Sequence, residues 1–189
     1  MFIQTEATPN PATLKFLPGR TVLNEGTVDF RAAEEAEGQS PLAERLFGIT
    51  NVEGVFFGHD FITVTKADAP DWAVMKPAIL GTIMEHFMAD APVMAQDASL
   101  QNDDDGEEFF DEGSEQIVST IKELLETRVR PAVAQDGGDI TFRGYREGKV
   151  FLSMRGACAG CPSSTATLQY GIQNLLKHFI PEVESVEAV

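Results

Sequence analysis

Cysteine is nearly missing from this chain: two residues in 189, Cys158 and Cys161. So few, three positions apart, exclude a disulfide framework and leave metal or redox chemistry as the better prior. Long apolar runs are missing too. No stretch of about 18 apolar residues occurs, which argues against a membrane span. The opening Met1-Phe2-Ile3-Gln4-Thr5-Glu6 meets an acidic residue before an apolar segment forms, so no signal peptide is expected. Basic residues are scarce, 14 against 30 acidic ones, for a net charge of −16. Such a surface repels phosphate backbones and makes nucleic acid a poor partner. What is present is an ordinary 43% apolar content, enough for a core without covalent staples.

The charge is unevenly spread. Residues 1–90 carry a net −7, residues 91–113 carry −8, and residues 114–189 carry −1. The chain therefore reads as two small α+β domains, 1–90 and 114–189, joined by an acidic, flexible linker over 91–113. Within the linker, Gln101 to Glu108 holds mutually repelling carboxylates and no apolar face, so it should be extended and mobile. Calcium binding there is disfavoured, because the alternating oxygen ligands of an EF-hand loop are absent.

In the first domain, Phe2–Thr5 and Thr13–Phe16 read as strands around the prolines Pro9 and Pro11. Val28 and Phe30 suggest a strand before a Glu-rich solvated connection. Ser40-Pro41 reads as a helix N-cap followed by proline at the first helical position. Val52–Phe57 and Phe61–Thr65 form a hairpin around Gly58-His59-Asp60, and Asp71 caps a last helix made irregular by Pro77. The second domain reads α-β-β-α-β. Ser114 caps a helix that Pro131 should stop, and Ile140–Tyr145 pairs with Lys149–Met154 around Arg146-Glu147-Gly148. The cysteine loop follows, then a helix from Pro162 and a short strand over Val183–Val189.

The chemistry concentrates in Gly156-Ala157-Cys158-Ala159-Gly160-Cys161-Pro162. At a helix start, thiolates meet the positive end of the helix dipole and unpaired N–H groups. Small neighbours let backbone amides, or a second copy of the loop, approach closely. Two sulfurs are half of a four-ligand shell, so the rest must come from a second chain, a partner or a small thiol. A purely structural role is disfavoured, since the pair buries little. A thioredoxin-like dithiol is disfavoured because only 28 residues follow Cys161, too few for the rest of that sheet. Zinc and iron–sulfur remain open on these residues alone. His178 lies about 25 Å along the helix from Cys161, and His59 and His86 belong to the other domain, where each reads as a surface residue. Arg155 reads either as a countercharge or as a solvated strand end, and Gly137-Gly138 as a tight turn rather than a phosphate cradle. No nucleophile–base pair stands out.

Gly137-Gly138-Asp139-Ile140 followed by Gly156-Ala157-Cys158-Ala159-Gly160-Cys161-Pro162-Ser163-Ser164 resembles the NifU-type C-terminal domain of iron–sulfur proteins. Thr8-Pro9-Asn10-Pro11, Leu14-Lys15-Phe16, Ser40-Pro41-Leu42-Ala43 and the stretch Val55–Thr65 resemble the N-terminal domain of Nfu proteins. The resemblance implies a non-enzymatic scaffold or carrier holding a labile [4Fe–4S] cluster between two protomers, with Cys158 and Cys161 as the ligands from each. It implies a homodimer when loaded, an upstream assembly scaffold as donor and cluster-free client enzymes as recipients. The first domain, without cysteine, is assigned to partner recognition. The absence of an Arg-rich presequence favours a bacterial cytoplasm over a mitochondrial matrix.

Overall fold

The computed structural model describes residues 2–98, 107–159 and 162–189, and the backbone alone at 162–164. The acidic run within 99–106 lies outside the described residues, as does Cys161. The chain divides into two compact units, Met1–Gln101 and Asn102–Val189, each with its own core.

In the first unit the strands are β1 (Gln4–Ala7), β2 (Thr13–Leu17), β3 (Val28–Phe30), β4 (Val52–Phe57) and β5 (Ile62–Lys66). They form one antiparallel sheet in the order β1-β2-β5-β4-β3. One face carries Leu14, Phe16, Val55, Phe57, Ile62 and Val64, and this face is buried. Three helices join that core, α1 (Ala33–Ala36), α2 (Pro41–Phe47) and α3 (Trp72–Met88), with Ile3, Val22 and Leu23 from connecting segments and Val28 and Phe30 of β3. The one-turn α1 falls where a solvated connection was expected, and it forms because Ala36 enters the core.

Ser40 caps α2 as expected: its hydroxyl accepts the Ala43 N–H at 3.1 Å and donates to the Val93 carbonyl at 2.5 Å. Pro77 does not break α3, which runs unbroken through it. Ala73, whose carbonyl a residue-77 N–H would have met, and Pro77 are both exposed, so the missing bond leaves no buried acceptor unpaired.

The start of the expected linker is fastened to this unit. His86 Nε2 hydrogen-bonds the Pro92 carbonyl at 2.8 Å, and the Ala95 amide donates to the Gln39 carbonyl at 2.8 Å.

The second unit begins with a strand, β6 (Phe109–Phe110), inside the segment expected to be mobile linker. Two adjacent aromatics outweigh the local charge. Phe109 packs on Phe151 at 5.2 Å between ring centroids, and a Cβ on its strand partner Gly144 would lie 2.5 Å from the Phe109 ring. The element order is thus β-α-β-β-α-β rather than α-β-β-α-β.

The first helical stretch comprises α4 (Glu115–Leu124), a π-turn over Leu125–Val129 and α5 (Arg130–Gln135). Ser114 makes no side-chain cap bond. Pro131 fails to stop the helix because the π-turn shifts the ladder by one residue. The Arg130 N–H reaches the Leu125 carbonyl, and proline takes the first turn of α5, where no amide is needed.

Strands β7 (Gly138–Arg146) and β8 (Lys149–Gly156) form the expected hairpin. Glu147 and Gly148 both have positive φ, 50° and 77°, as a two-residue turn matched to strand twist requires. After the cysteine loop come α6 (Pro162–Phe179) and β9 (Ser185–Ala188), which lies parallel to β8. The sheet order is β6-β7-β8-β9. The outer edge of β9 is closed at Val186, whose carbonyl accepts from the Gln169 side chain while its N–H donates to Gln173 Oε1 at 3.2 Å. Among the described residues no helix is long and apolar enough to cross a membrane.

Candidate metal centre at the cysteine loop

Three elements converge on Cys158. Strand β8 ends at Gly156, whose φ of 67° turns the chain, and the Ala157 amide then donates to the Gly137 carbonyl at 3.1 Å. The Ala159 amide donates to the Gly156 carbonyl at 3.1 Å. From the first turn of α6, the Thr165 hydroxyl donates to the Cys158 carbonyl at 2.7 Å. The loop backbone is therefore tied to the start of β7 and to α6.

Gly138 lies against the sulfur: a Cβ there would stand 2.8 Å from Cys158 Sγ and 2.7 Å from the Arg155 carbonyl oxygen. The glycine pair is thus more than a tight turn. Gly137, with φ of 80°, ends α5, and Gly138 leaves the space that the sulfur occupies.

Cys158 itself is buried, 6% exposed, and belongs to the core of the second unit. The expectation of a thiolate stabilised at a helix start is corrected here. Burial pushes the Cys158 thiol up to about 11, and the carboxylates of Asp136 and Asp139 add to the effect. At neutral pH this thiol is held in its protonated form.

Asp139 is itself engaged. Arg130 grips it with two bonds, Nε to Oδ1 at 2.9 Å and Nη2 to Oδ2 at 3.0 Å, and the Ile140 amide reaches Oδ1 at 2.9 Å. Arg130 also meets Glu126 Oε2 at 2.7 Å, and the bonds to Asp139 above all hold its proton more firmly than usual.

Arg155, cross-strand from Asp139, is 6% exposed rather than solvated, and its Nη2 has no hydrogen-bond partner. It does not figure among the groups that move the Cys158 thiol, which are carboxylates. The histidines stand apart. His59 is turned to the Leu23 carbonyl at 2.9 Å, and His178 is exposed at the end of α6 against Phe179. His86, read as a surface residue, is buried. Among the described residues no group of three or more His, Cys, Asp or Glu side chains could hold a metal ion.

Two family models cover most of the chain. Residues 3–90 match the model described as scaffold protein Nfu/NifU N terminal, and residues 121–187 match the NifU-like domain. The chain belongs to the Nfu family. A Drosophila sechellia protein named "NFU1 iron-sulfur cluster scaffold homolog, mitochondrial" is 51% identical over 190 residues, spanning all of this chain and 65% of that one. The Homo sapiens protein of the same name is 49% identical, spanning all of this chain and 72% of the relative. This chain thus spans about two-thirds of the length of the curated relatives it matches. Among solved structures, the solution NMR structure of a NifU-like protein from Saccharomyces cerevisiae aligns at 25% identity with a TM-score of 0.47. That alignment covers 51% of this chain and 87% of that one.

The expectation of a bacterial cytoplasm is overturned by these Nfu relatives, which are named mitochondrial. It rested on the first residues of a chain shorter than its relatives, and those residues carry no information about a leader.

The sequence pointed to both cysteines, of which Cys161 lies outside the described residues, and to a turn at the glycine pair, but not to the part of Asp136, Asp139 or Thr165. Asp136 and Asp139 come beside the loop through the return of β7, a contact across about 20 residues that no local pattern announces, whereas Thr165 reaches back from α6.

Proposed function

We propose that this Nfu protein carries a [4Fe–4S] cluster held between two copies of the chain, Cys158 and Cys161 of each serving as ligands, and passes it to cluster-free client proteins. The carrying observation is that these 189 residues, which belong to an iron–sulfur scaffold family, offer two sulfurs, half of what such a cluster takes. Its role is transfer rather than catalysis, and the mitochondrial names of its relatives favour that compartment.

The buried Cys158 fits this reading. A neutral thiol packed against Gly138 is protected when no cargo is present, and loading requires the loop to open and the thiol to lose its proton. The same property disfavours a dithiol oxidoreductase, in which Cys158 would need thiolate character at neutral pH.

Anaerobic reconstitution with ferrous iron and sulfide tests the proposal. The expected product is a brown dimer with about four irons per two chains. Cys158→Ala and Cys161→Ala should each lose the cluster, and either single variant retaining a full cluster would refute the ligand assignment. Colourless protein carrying one zinc per dimer after oxygen-free purification would replace the cluster with a structural metal.

A further inference from the structure

We propose that the exposed face of α6 is the surface on which a second copy of this chain docks, with Tyr170 as its anchor. The inference rests on the shared-cluster reading above and adds where the two copies touch.

The argument begins with charge. Two chains of −16 each repel over most of their surface. Residues 162–176, beginning immediately after Cys161, contain no charged side chain at all. Among the residues of this stretch whose side chains are described, 165–176, the exposed positions are Ala166, Thr167, Tyr170, Gly171 and Asn174, which recur at helical spacing on one face. Tyr170 stands 65% exposed in their midst, a large aromatic of the kind that anchors interfaces. Beside it, a Cβ on Gly171 would meet nothing within 4 Å, so a facing ring has room to lie against the helix backbone.

Location agrees with charge. Tyr170 lies about 12 Å along α6 from Pro162, within the radius of about 16 Å that a standard interface of about 800 Å² per partner covers. The Thr165 bond to the Cys158 carbonyl ties this helix to the ligand loop. At β9 strand pairing is a poor alternative route, because Gln169 and Gln173 take both backbone groups of Val186. A two-fold axis through the loops would bring the same face of each α6 to its twin, so that each Tyr170 meets the small residues of the other copy. One helix face is a small patch, so contact should hold only together with the shared cargo.

The test uses the full chain, loaded anaerobically with iron and sulfide and followed by sedimentation equilibrium. Tyr170→Asp should weaken the loaded dimer about tenfold or more, and Tyr170→Phe should leave it within about twofold. Gly171→Glu, which puts a charge into open space on the same face, should act like Tyr170→Asp without lowering the melting temperature. Loaded dimers of Tyr170→Asp and Gly171→Glu as tight as the wild type would overturn the docking surface while leaving the shared cluster standing. A loaded wild-type chain that sediments as a monomer would instead overturn the reading on which it rests.

Discussion

Gly138 and Cys158 share a space that admits no methyl group: a Cβ at 138 would stand 2.8 Å from the sulfur and 2.7 Å from a backbone oxygen of β8. The second clash cannot be relieved by a rotamer change. Gly138→Ala should therefore cost about 1–3 kcal/mol of stability in the second unit and displace the thiol. A urea titration of the cluster-free protein, with iron content after reconstitution, checks both. An unchanged midpoint would show that the loop yields freely.

Reactivity of Cys158 should follow its buried state. In a Cys161→Ser variant, iodoacetamide should label Cys158 very slowly at pH 7, with the rate rising as pH approaches about 11. The same shift has a stability consequence with a definite sign. The folded thiol holds its proton more tightly than the unfolded one, whose ordinary value is 9.0. The stabilisation is therefore fully present below pH 9 and is lost as pH rises from there through about 11. Labelling at pH 7 as fast as for an unfolded peptide would contradict this picture.

The Arg130–Asp139 pair holds the turn behind the cysteine loop. The Asp139 side chain is 7% exposed and that of Arg130 33%, so solvent screens only one partner. Asp139→Ala should destabilise the second unit by about 2 kcal/mol, below the cost of breaking a fully buried pair. Glu126→Gln, at a partner that is 66% exposed, should cost under about 0.5 kcal/mol. Equal effects in chemical denaturation would mean that the two carboxylates are not distinguished by burial.

The first unit should weaken in acid through His86. Burial, first of all, lowers its pKa below the usual 6.5, with Arg45 acting in the same direction and the bond to the Pro92 carbonyl partly opposing them. Its Nδ1 is buried without a partner, so a second ring proton, which would bind there, finds no acceptor. A depressed folded value means that the contribution is present above pH 6.5 and lost as pH falls through the lowered value. Trp72, the only tryptophan, belongs to this unit and reports its melting. The melting temperature should drop between pH 7.5 and pH 5, and His86→Phe should flatten that dependence.

Local chemistry made much of this fold legible. The Ser40 cap, the Glu147-Gly148 turn and the apolar spacing of α3 and α6 are decided within a few residues. What escaped was decided at a distance. Pro131 reads as a stop until the π-turn before it is seen, and Phe109-Phe110 reads as linker until Gly144 supplies the notch that receives a ring. His86 reads as polar surface because the Pro92 carbonyl that satisfies it arrives from beyond the helix. At the site, the pair of sulfurs was plain, but the state of Cys158 was not. Helix-end electrostatics favours an ionised sulfur, whereas burial and two carboxylates win.

The fastening of residues 92–95 bears on how the molecule can be divided for study. A fragment ending at residue 90, where the composition changes, would strip Ser40 and His86 of the carbonyls they bind. One beginning at residue 114 would empty the hollow above Gly144 that the Phe109 ring fills. Excised pieces that keep residues 2–98 and 107–189 retain both sets of contacts, and these are the boundaries at which either half stands to fold alone.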